Sequence, residues 1–379
     1  MEFSEELLML RDMVRDFAEN EIRPIAARID ETAEFPHQTV KKMGELGLMG
    51  IPFPEKYGGA GMDNVSYIIA VEELSRVCGS HGITLAAHIS LGCSPIFLFG
   101  TEEQKMKYLK PLASGEGLGS FGLTEPNAGS DAGGTETTAV LKGDEWVVNG
   151  SKIFITNAEY CKTVVFTAVT GERDGKKRIS SFIVEAGTPG FSVGKKEDKL
   201  GVRASSTAML HFEDCRLPKE NLLGREGDGF KQFLTILDGG RISIAALAQG
   251  IAQGAYEEAV KYASERKAFG KNISGFQAIQ FMIADMATEL EASRHLIYNA
   301  ALLEDQGKSF IRESAMAKLY ASEVAMRVTT KAIQIHGGYG YIQDYPVERM
   351  FRDAKICTIG EGTSEIQRIV IARDVMGVR

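Results

Sequence analysis

Apolar residues recur every three or four positions through the first part of the chain. From residue 5 to about residue 27 they fall on one face of a helix, and Ser4 is placed to cap its first turn. The Pro- and Gly-rich segment 51–63 interrupts this periodicity. Further helices are predicted at about 38–47, 64–77, 82–99 and 102–113. Residues 1–120 are therefore predicted to form an N-terminal all-α domain.

The pattern changes near residue 121. Short β-branched and aromatic runs, separated by Gly, Asp, Asn and Pro, predict a middle antiparallel β domain over residues 121–228. Long helical runs then return, and four helices of such length favour a bundle. They cover about 229–265, 275–305, 311–335 and a shorter stretch from Ser364. The predicted fold class is α+β, with a C-terminal four-helix bundle domain over residues 229–379.

Composition narrows the classes of function. Lys and Arg number 43 against 51 Asp and Glu, a net charge of −8, and no long basic run suggests nucleic-acid binding. The five cysteines are odd in number and widely spaced, without a CxxC pair, so neither a disulfide framework nor a metal site is predicted. The N-terminus carries acidic residues, and no 18 uncharged apolar residues run together. We expect a soluble cytoplasmic protein without membrane insertion.

Two neighbouring stretches suit a flat polar ligand. The loop FGLTEPNAGSD, residues 121–131, combines backbone amides with Gly, Ser and Thr, which are good donors for a phosphate or a ring edge. A structural turn uses the same residues, so composition leaves both interpretations open. The strand end KIFITN adds Phe154 and Thr156, an aromatic wall beside a hydroxyl. Together these stretches could hold a flat heterocycle.

Two segments in the C-terminal half raise a question of phosphate binding. In ERKAFGK, Arg266 stands near a predicted helix end, where a guanidinium could bind a diphosphate or simply be solvated. QIHGGYGY, residues 334–341, follows a helix and lacks the GxGxxG spacing, so a Rossmann loop is excluded. Gly337 and Gly338 would still let a ligand or another chain approach the backbone closely.

Two glycine-containing motifs stand out inside or beside helices. DGGR, residues 238–241, lies within a helical run although each glycine costs about 1 kcal/mol there, so either helix packing or a ligand requires room. IGEGTSEIQ, residues 359–367, places Glu361 between two glycines before a helix that Thr363 could cap. The carboxylate is either held and reachable for chemistry or merely solvated in a turn. The histidines have no ligand spacing and are interpreted as structural.

Several long motifs, in this order, resemble one family, the acyl-CoA dehydrogenases, and within it the short-chain, butyryl-CoA dehydrogenase-like members. They are FGLTEPNAGSD, NGSKIFITN, KKEDKLGVRASST, LDGGR, ERKAFGK, QIHGGYGYIQDYPVERMFRDAKI and EGTSEIQR, and they span almost the whole chain. The resemblance implies an FAD-dependent oxidoreductase of fatty acid metabolism and β-oxidation, a homotetramer in most members. Such an enzyme converts an acyl-CoA to the 2-enoyl-CoA and passes electrons to an electron-transferring flavoprotein.

The resemblance also implies roles for individual residues. Glu361 would be the catalytic base that removes the α-proton. Residues expected to line the flavin ring are Phe121, Leu123, Thr124, Phe154, Ile155 and Thr156, with Gly129 and Ser130 near the pyrophosphate. Residues expected to reach the FAD of a neighbouring subunit are Arg266, Phe269, Gln277, Gln334 and Gly338, and Thr363 and Glu365 would complete that site. The expected substrate contacts are Ser130, Asp238, Arg241, Gly360 and Gly362.

Two positions bear on the substrate. Isovaleryl-type members of the family carry their base where this chain has Gly240, which cannot serve, and this strengthens the assignment to Glu361. Many straight-chain members have a tyrosine immediately before the base, whereas this chain has Gly360. The missing ring suggests room for a branched or cyclic short acyl group, unless Ile89 or Leu91 fills the space. The alternatives in function are an acyl-CoA oxidase and a non-catalytic helical assembly protein of the same fold.

Overall fold

The N-terminal helices follow the predicted order. The computed structural model of the protein describes residues 3–378. Helix α1 (Glu5–Phe17) continues through a π-helical turn, Ala18–Ile22, into α2 (Arg23–Thr32). Ser4 caps α1 as predicted, since its hydroxyl accepts a hydrogen bond from the Leu7 amide at 3.3 Å. The helical run ends at Thr32 instead of about residue 27.

The remaining helices of this part confirm the predicted stretches and add detail. Helix α4 has the predicted bounds, and each of the next two predicted helices contains a π-helical segment, Ala87–Cys93 and Lys105–Leu109. The helices are α3 (His37–Glu45), α4 (Asn64–Val77), α5 (Gly79–Ala86), α6 (Ser94–Phe99), α7 (Glu102–Gln104) and α8 (Lys110–Ala113). In the π-helical segment Ala87–Cys93, the backbone of Gly119 approaches Gly92 so closely that a Cβ on Gly92 would lie 2.6 Å from it. A side chain at residue 92 would therefore collide with the strand that begins the sheet.

One helical stretch is apolar enough to cross a membrane by length and composition. It is Gly79–Phe99, 21 residues with a mean hydropathy of 1.6, and it is the single such stretch among residues 3–378. Within the protein 67% of its most apolar window is buried. His88 inside it is fully buried, and its Nδ1 accepts a hydrogen bond from the Gly119 amide at 2.9 Å. Such burial is what a core helix shows.

The middle of the chain forms one sheet. Its strands are β1 (Leu118–Gly122), β2 (Thr138–Lys142), β3 (Glu145–Thr156), β4 (Cys161–Arg173), β5 (Lys176–Glu185), β6 (Phe191–Lys196), β7 (Thr207–Pro218) and β8 (Leu222–Leu223). Their spatial order is β6-β7-β3-β2-β4-β5-β8, and β1 pairs with β4. Most pairs are antiparallel, but β1 and β2 both run parallel to β4, so the purely antiparallel prediction is wrong there. Alternation of apolar residues identifies strands, whereas strand direction depends on the path of the connecting chain.

The C-terminal part is helical. Helix α9 (Gly229–Glu265) leads through a hairpin, β9 (Lys267–Ala268) and β10 (Lys271–Asn272), into α10 (Gln277–Asp305) and α11 (Ile311–His336). These three helices pack on one another, and α13 (Ser364–Met376) packs on α11. Thr363 caps α13 by accepting a hydrogen bond from the Ile366 amide at 3.3 Å. Helix α12 (Val347–Ala354) was not predicted, because its eight residues are fewer than the roughly 11 to 18 over which a helical period is judged.

Two hydrophobic cores hold the molecule together. One belongs to the sheet and contains Trp146, Phe166, Phe182 and Phe212. The other joins helices from both ends of the chain, with α4 against α9. The contact is so close that a Cβ on Gly250 would lie 2.2 Å from the carbonyl oxygen of Glu72. The α–β–α order is therefore confirmed, while the division at residues 120 and 228 stays a prediction.

Candidate active site

Glu361 lies in the short loop between α12 and α13. Its backbone is left-handed, with φ 52°, and Gly362 follows with φ 90°. The carboxylate oxygen Oε2 is buried and has no hydrogen-bond partner among the described residues. The alternative in which this side chain is merely solvated in a turn is therefore wrong. An unpartnered buried acceptor costs free energy, and such a group in a native structure points to a role beyond stability.

The surroundings of Glu361 make its carboxylate an unusually good base. Burial raises the pKa of Glu361 to about 7, and the positive charges of Lys318 and Arg241 oppose that shift. A carboxylate with a pKa near 7 is still ionised in large part at neutral pH. It also holds an abstracted proton far more strongly than an ordinary glutamate does.

Gly240 makes the room that this carboxylate occupies. A Cβ built on Gly240 would lie only 2.0 Å from Oε2 of Glu361. Its neighbour Gly239 is less constrained, since a Cβ there would lie 3.2 Å from Oε1 of Glu304. The room that DGGR was expected to provide is therefore used at Gly240, which leaves space for the side chain of Glu361.

Asp238 and Arg241 lie on the same part of α9. Arg241 is buried and donates from Nη1 to Oδ1 of Asp238 at 2.6 Å, while its Nε has no partner among the described residues. Burial lowers the pKa of Arg241, and the charges of Asp238 and Glu361 raise it. Asp238 and Arg241, two of the five predicted substrate contacts, thus pair with one another, and the charge of Arg241 acts on Glu361.

Two buried side chains support the loop from below. The ammonium of Lys318, on α11, donates to the carbonyl oxygen of Gly362 at 2.6 Å. The amide Nε2 of Gln367 donates to the same oxygen at 2.9 Å and to that of Glu361 at 3.3 Å. Neither residue was predicted from the sequence. A lysine in a helical run is ordinarily solvated, so nothing marked Lys318, and nothing in the helical period of α13 distinguished Gln367.

A cavity of about 240 Å³ reaches Gly240 from the N-terminal helices. Its wall is mostly apolar, with Ile68, Ile89 and Phe97 among the lining residues, and Glu304 contributes a carboxyl group. Burial, with the charges of Asp305 and Asp238, raises the pKa of Glu304 to about 7. This cavity has a shape and a lining suited to a short acyl chain.

A side chain at residue 360 would begin without a clash. The three atoms nearest to a Cβ built there all belong to Ile356, at 3.5 to 3.9 Å, which is ordinary van der Waals contact. Neither Ile89 nor Leu91 is among them. Ile89 lines the cavity near Gly240, whereas Leu91 is not among the residues that line it.

The predicted flavin-binding stretches are adjacent. The Ile153 amide donates to the Thr124 carbonyl at 2.8 Å, and the Ser120 hydroxyl donates to the Thr156 carbonyl at 2.9 Å. Phe154 has φ 61° and is 60% exposed, so its ring is available for a ligand. Phe121 and Ile155 are buried, and Leu123, Thr124 and Thr156 are half-buried. The structure therefore brings these six residues together at the C-terminal ends of β1 and β3.

A buried ion pair anchors the loop that carries Gly129 and Ser130. Lys152 and Glu125 are both buried, with Nζ 2.6 Å from Oε1, and Glu125 also accepts from the Glu136 amide at 2.6 Å. Gly129 and Ser130 are exposed on this loop, and a Cβ on Gly129 would meet no atom within 4 Å. The loop is thus tied down at its base and open at its tip.

The residues expected to reach a neighbouring subunit lie at the surface. Arg266 directly follows α9, its guanidinium lies over the ring of Tyr339 at 5.5 Å, and it lines with Gly338 a concavity of about 510 Å³. Phe269 is 95% exposed at the hairpin turn. Gln277, Gln334 and Glu365 are exposed as well.

The histidines in the helical core are structural. His81 is within 2.7 Å of the Thr39 hydroxyl, and burial lowers the pKa values of His81 and His88 to about 3 and about 4. Among residues 3–378, no three His, Cys, Asp or Glu side chains are grouped so as to hold a metal ion. All five cysteines are free and buried.

The fold and this site define a class of protein, and comparison with known families identifies it. The N-terminal, middle and C-terminal domain descriptions of acyl-CoA dehydrogenase match residues 4–116, 120–215 and 227–376. The class is that of the FAD-dependent oxidoreductases in which a β domain lies between two helical domains along the chain. The chain belongs to the acyl-CoA dehydrogenase family.

Similar proteins are known in several bacteria. The chain is 58% identical over 364 residues to the short-chain specific acyl-CoA dehydrogenase of Clostridium acetobutylicum, covering 96% of both chains. Butyryl-CoA dehydrogenase from Megasphaera elsdenii is 46% identical, with a TM-score of 0.97 over 99% of both chains. A chain solved in work on the electron transferring flavoprotein of Acidaminococcus fermentans is 54% identical, with a TM-score of 0.97 over 99% of both chains.

The residues at the C-terminal ends of β1 and β3 fit FAD, the cofactor of this family. An exposed aromatic ring at Phe154 stands beside the hydroxyls of Thr124 and Thr156, which suits a flat ring with polar edges. The open loop at Gly129 and Ser130 suits a phosphate. The unpartnered Oε2 of Glu361 is a separate feature that is consistent with a bound substrate.

Proposed function

We propose that the protein is a short-chain acyl-CoA dehydrogenase in which Glu361 removes the α-proton of the acyl thioester to give the 2-enoyl-CoA. The observation that carries this proposal is the buried, unpartnered Oε2 of Glu361, held in the space that Gly240 leaves. The Oε2 atom would accept the α-proton, and burial raises the pKa of this carboxyl group to about 7. The enolate oxygen that develops needs fixed donors, and the backbone N–H of Glu361 is the donor expected from this chain.

The ends of β1 and β3 would bind FAD, which would accept the β-hydrogen of the substrate as a hydride. Phe121, Leu123 and Thr124 from the end of β1 and Phe154, Ile155 and Thr156 from the end of β3 would line its ring. Gly129 and Ser130 would bind the pyrophosphate, and Ser130 would also contact the substrate. Asp238 and Arg241 would lie near the pantetheine, and Gly360 and Gly362 would leave the thioester's path clear.

A homotetramer is proposed because one set of cofactor residues lies on the outer surface. Phe269 is 95% exposed, and Arg266, Gln277, Gln334 and Gly338 are exposed too. A neighbouring subunit's FAD would cover them, with Thr363 and Glu365 completing the site. Native mass spectrometry of Phe269→Ala against wild type tests this assignment. We expect lower FAD content and weaker assembly with an unchanged helical circular dichroism spectrum, and full FAD occupancy in the variant would contradict it.

The preferred substrate is proposed to be a short acyl group, branched or cyclic chains included. The support is the absence of a side chain at Gly360 and the cavity of about 240 Å³ at Gly240. Steady-state assays with butyryl-, isobutyryl- and cyclohexanecarbonyl-CoA test this. Strict selectivity for the straight chain would contradict it, and Gly360→Tyr should then leave the selectivity unchanged.

Electrons are proposed to pass to an electron-transferring flavoprotein, with the enzyme working in the cytoplasm. The similarity to a chain solved in work on such a flavoprotein supports this partner. Purified flavoprotein should be reduced in the presence of substrate and enzyme. An enzyme that turns over with O₂ alone and leaves the flavoprotein oxidised would be an acyl-CoA oxidase instead.

The decisive experiment is an anaerobic titration with acyl-CoA thioesters, following flavin absorbance in wild type and in Glu361→Gln. Bleaching in wild type and none in the variant is the expected result. Equal bleaching in both proteins would remove Glu361 from the role of base. A colourless protein that binds no added FAD would favour the non-catalytic assembly protein.

A further inference from the structure

Lys318 is a fully buried lysine beneath the catalytic loop. Its exposed fraction is 0%, and its ammonium donates to the Gly362 carbonyl at 2.6 Å. Within residues 3–378 no carboxylate oxygen forms an ion pair with it inside 4.0 Å. Burying an ammonium without a close counter-charge is expensive, so a residue of this kind is retained where its charge or its hydrogen bond serves a purpose.

The hydrogen bond acts on a loop in an unfavourable conformation. Glu361 has φ 52°, which is uncommon for a residue with a side chain, and Gly362 has φ 90°. Lys318 and Gln367 both donate hydrogen bonds to the Gly362 carbonyl oxygen. A strained turn persists only where its surroundings hold it, and these two donors are the groups that do so.

We propose that Lys318 is a positioning residue for Glu361, which it serves by holding the loop through the Gly362 carbonyl and by placing a positive charge beneath the carboxylate. This inference rests on the proposed role of Glu361 as the base. Without the charge, Arg241 alone would oppose the effect of burial, and the pKa of the carboxylate would rise further. Without the hydrogen bond, the carboxylate would lose its fixed position beside Gly240.

The charged and titratable groups around this pair come from five parts of the chain. Tyr67 on α4, Arg241 on α9 and Lys318 on α11 face Glu361, while Cys357 precedes the loop and Glu365 follows it on α13. Burial lowers the pKa of Lys318 to about 8, and Cys357, Glu361 and Glu365 oppose that shift. Lys318 is therefore still mostly protonated at pH 7, and removing its charge must move the pKa of Glu361 upward.

The test is a set of matched variants assayed for the pH dependence of kcat/KM with butyryl-CoA. Lys318→Met and Lys318→Gln should move the acid limb upward by about one pH unit, a roughly tenfold loss below pH 7. Lys318→Arg keeps the charge and should restore the limb. Gln367→Leu should lower kcat without moving the limb, because it removes hydrogen bonds and no charge.

Lys331→Met is the control on the same helix. Its ammonium lies 3.3 Å from Asp285, and 13 residues of helix place it about 20 Å along the axis from Lys318. The acid limb should stay where it is in this variant. FAD content and the melting temperature of each protein are measured alongside, so that a general loss of structure is recognised.

An unshifted acid limb in Lys318→Met and Lys318→Gln, with full FAD content, overturns the inference. Should these variants lose FAD, a difference infrared titration decides, with wild type and Lys318→Met each measured against the same protein carrying Glu361→Gln. A carboxyl band that titrates at a higher pH in Lys318→Met than in wild type supports the inference, and one that titrates at the same pH in both contradicts it. Bleaching that survives in Glu361→Gln would instead mean that the proposed function, and not Lys318, is at fault.

Discussion

The close contact between Gly240 and Glu361 predicts a large effect from adding a single methyl group. A Cβ at residue 240 would lie 2.0 Å from Oε2 of Glu361, and real Cβ contacts essentially never fall below 3.0 Å. In Gly240→Ala the carboxylate must therefore move by at least about 1 Å, from 2.0 Å to 3.0 Å. A misplacement of this size costs about 100-fold in rate when it affects a reacting group.

Gly239→Ala provides a matched control one residue away. Its Cβ would lie 3.2 Å from Oε1 of Glu304, a contact that a small side-chain adjustment relieves. Both changes add the same methyl group to the interior of α9, where alanine is favoured over glycine by about 1 kcal/mol. Any difference between the two variants therefore reports on Glu361 and not on helix propensity.

The assay is kcat/KM with butyryl-CoA, with FAD content and melting temperature measured in parallel. We expect roughly a 100-fold loss in Gly240→Ala with FAD retained, and less than a threefold loss in Gly239→Ala. Similar activities in the two variants would refute the contact between residue 240 and the carboxylate. Loss of FAD in Gly240→Ala alone would mean that the methyl group disturbs the cofactor site instead of the base.

Three further predictions follow from buried charges. Burial raises the pKa of Glu361 to about 7, so ionisation of this group opposes folding as pH rises. In urea unfolding, Glu361→Gln should therefore be more stable than wild type by about 3 kcal/mol at pH 8 and no more stable at pH 4. Lys152→Met should lower the free energy of unfolding by about 3–5 kcal/mol and weaken FAD retention, because it leaves the buried carboxylate of Glu125 without its partner. Arg178→Met breaks the more exposed pair with Glu226 and should lower the free energy of unfolding by less than about 1 kcal/mol. Glu304→Leu should lower KM for hexanoyl-CoA more than for butyryl-CoA, since it removes a polar group from the cavity, and an unchanged ratio of the two KM values would place Glu304 away from the acyl chain.

Local sequence determined the elements of this protein. The three-residue and four-residue spacing of apolar side chains specified α4 with the bounds it has, and Ser4 and Thr363 cap the helices they were expected to cap. Such features depend on residues close together in the chain, which is why periodicity identifies them. The short helix α12 and the parallel pairing of β1 and β2 with β4 were not predicted, because eight residues are fewer than the window over which a period is judged and strand direction is not local.

The site depended on tertiary structure. The glycines of DGGR and the carboxylate of EGT each signalled that room or access was needed, but the sequence did not show that Gly240 and Glu361 meet one another. Lys318 carried no signal of its role, since a lysine in a helix is ordinarily solvated and only the packing of α11 beneath the loop buries it against Gly362. Sequence determined which groups the chain possesses, and the packing of distant segments decided which of them share a low-dielectric site. The burial that brings them together is the same burial that raises the pKa of Glu361 to about 7.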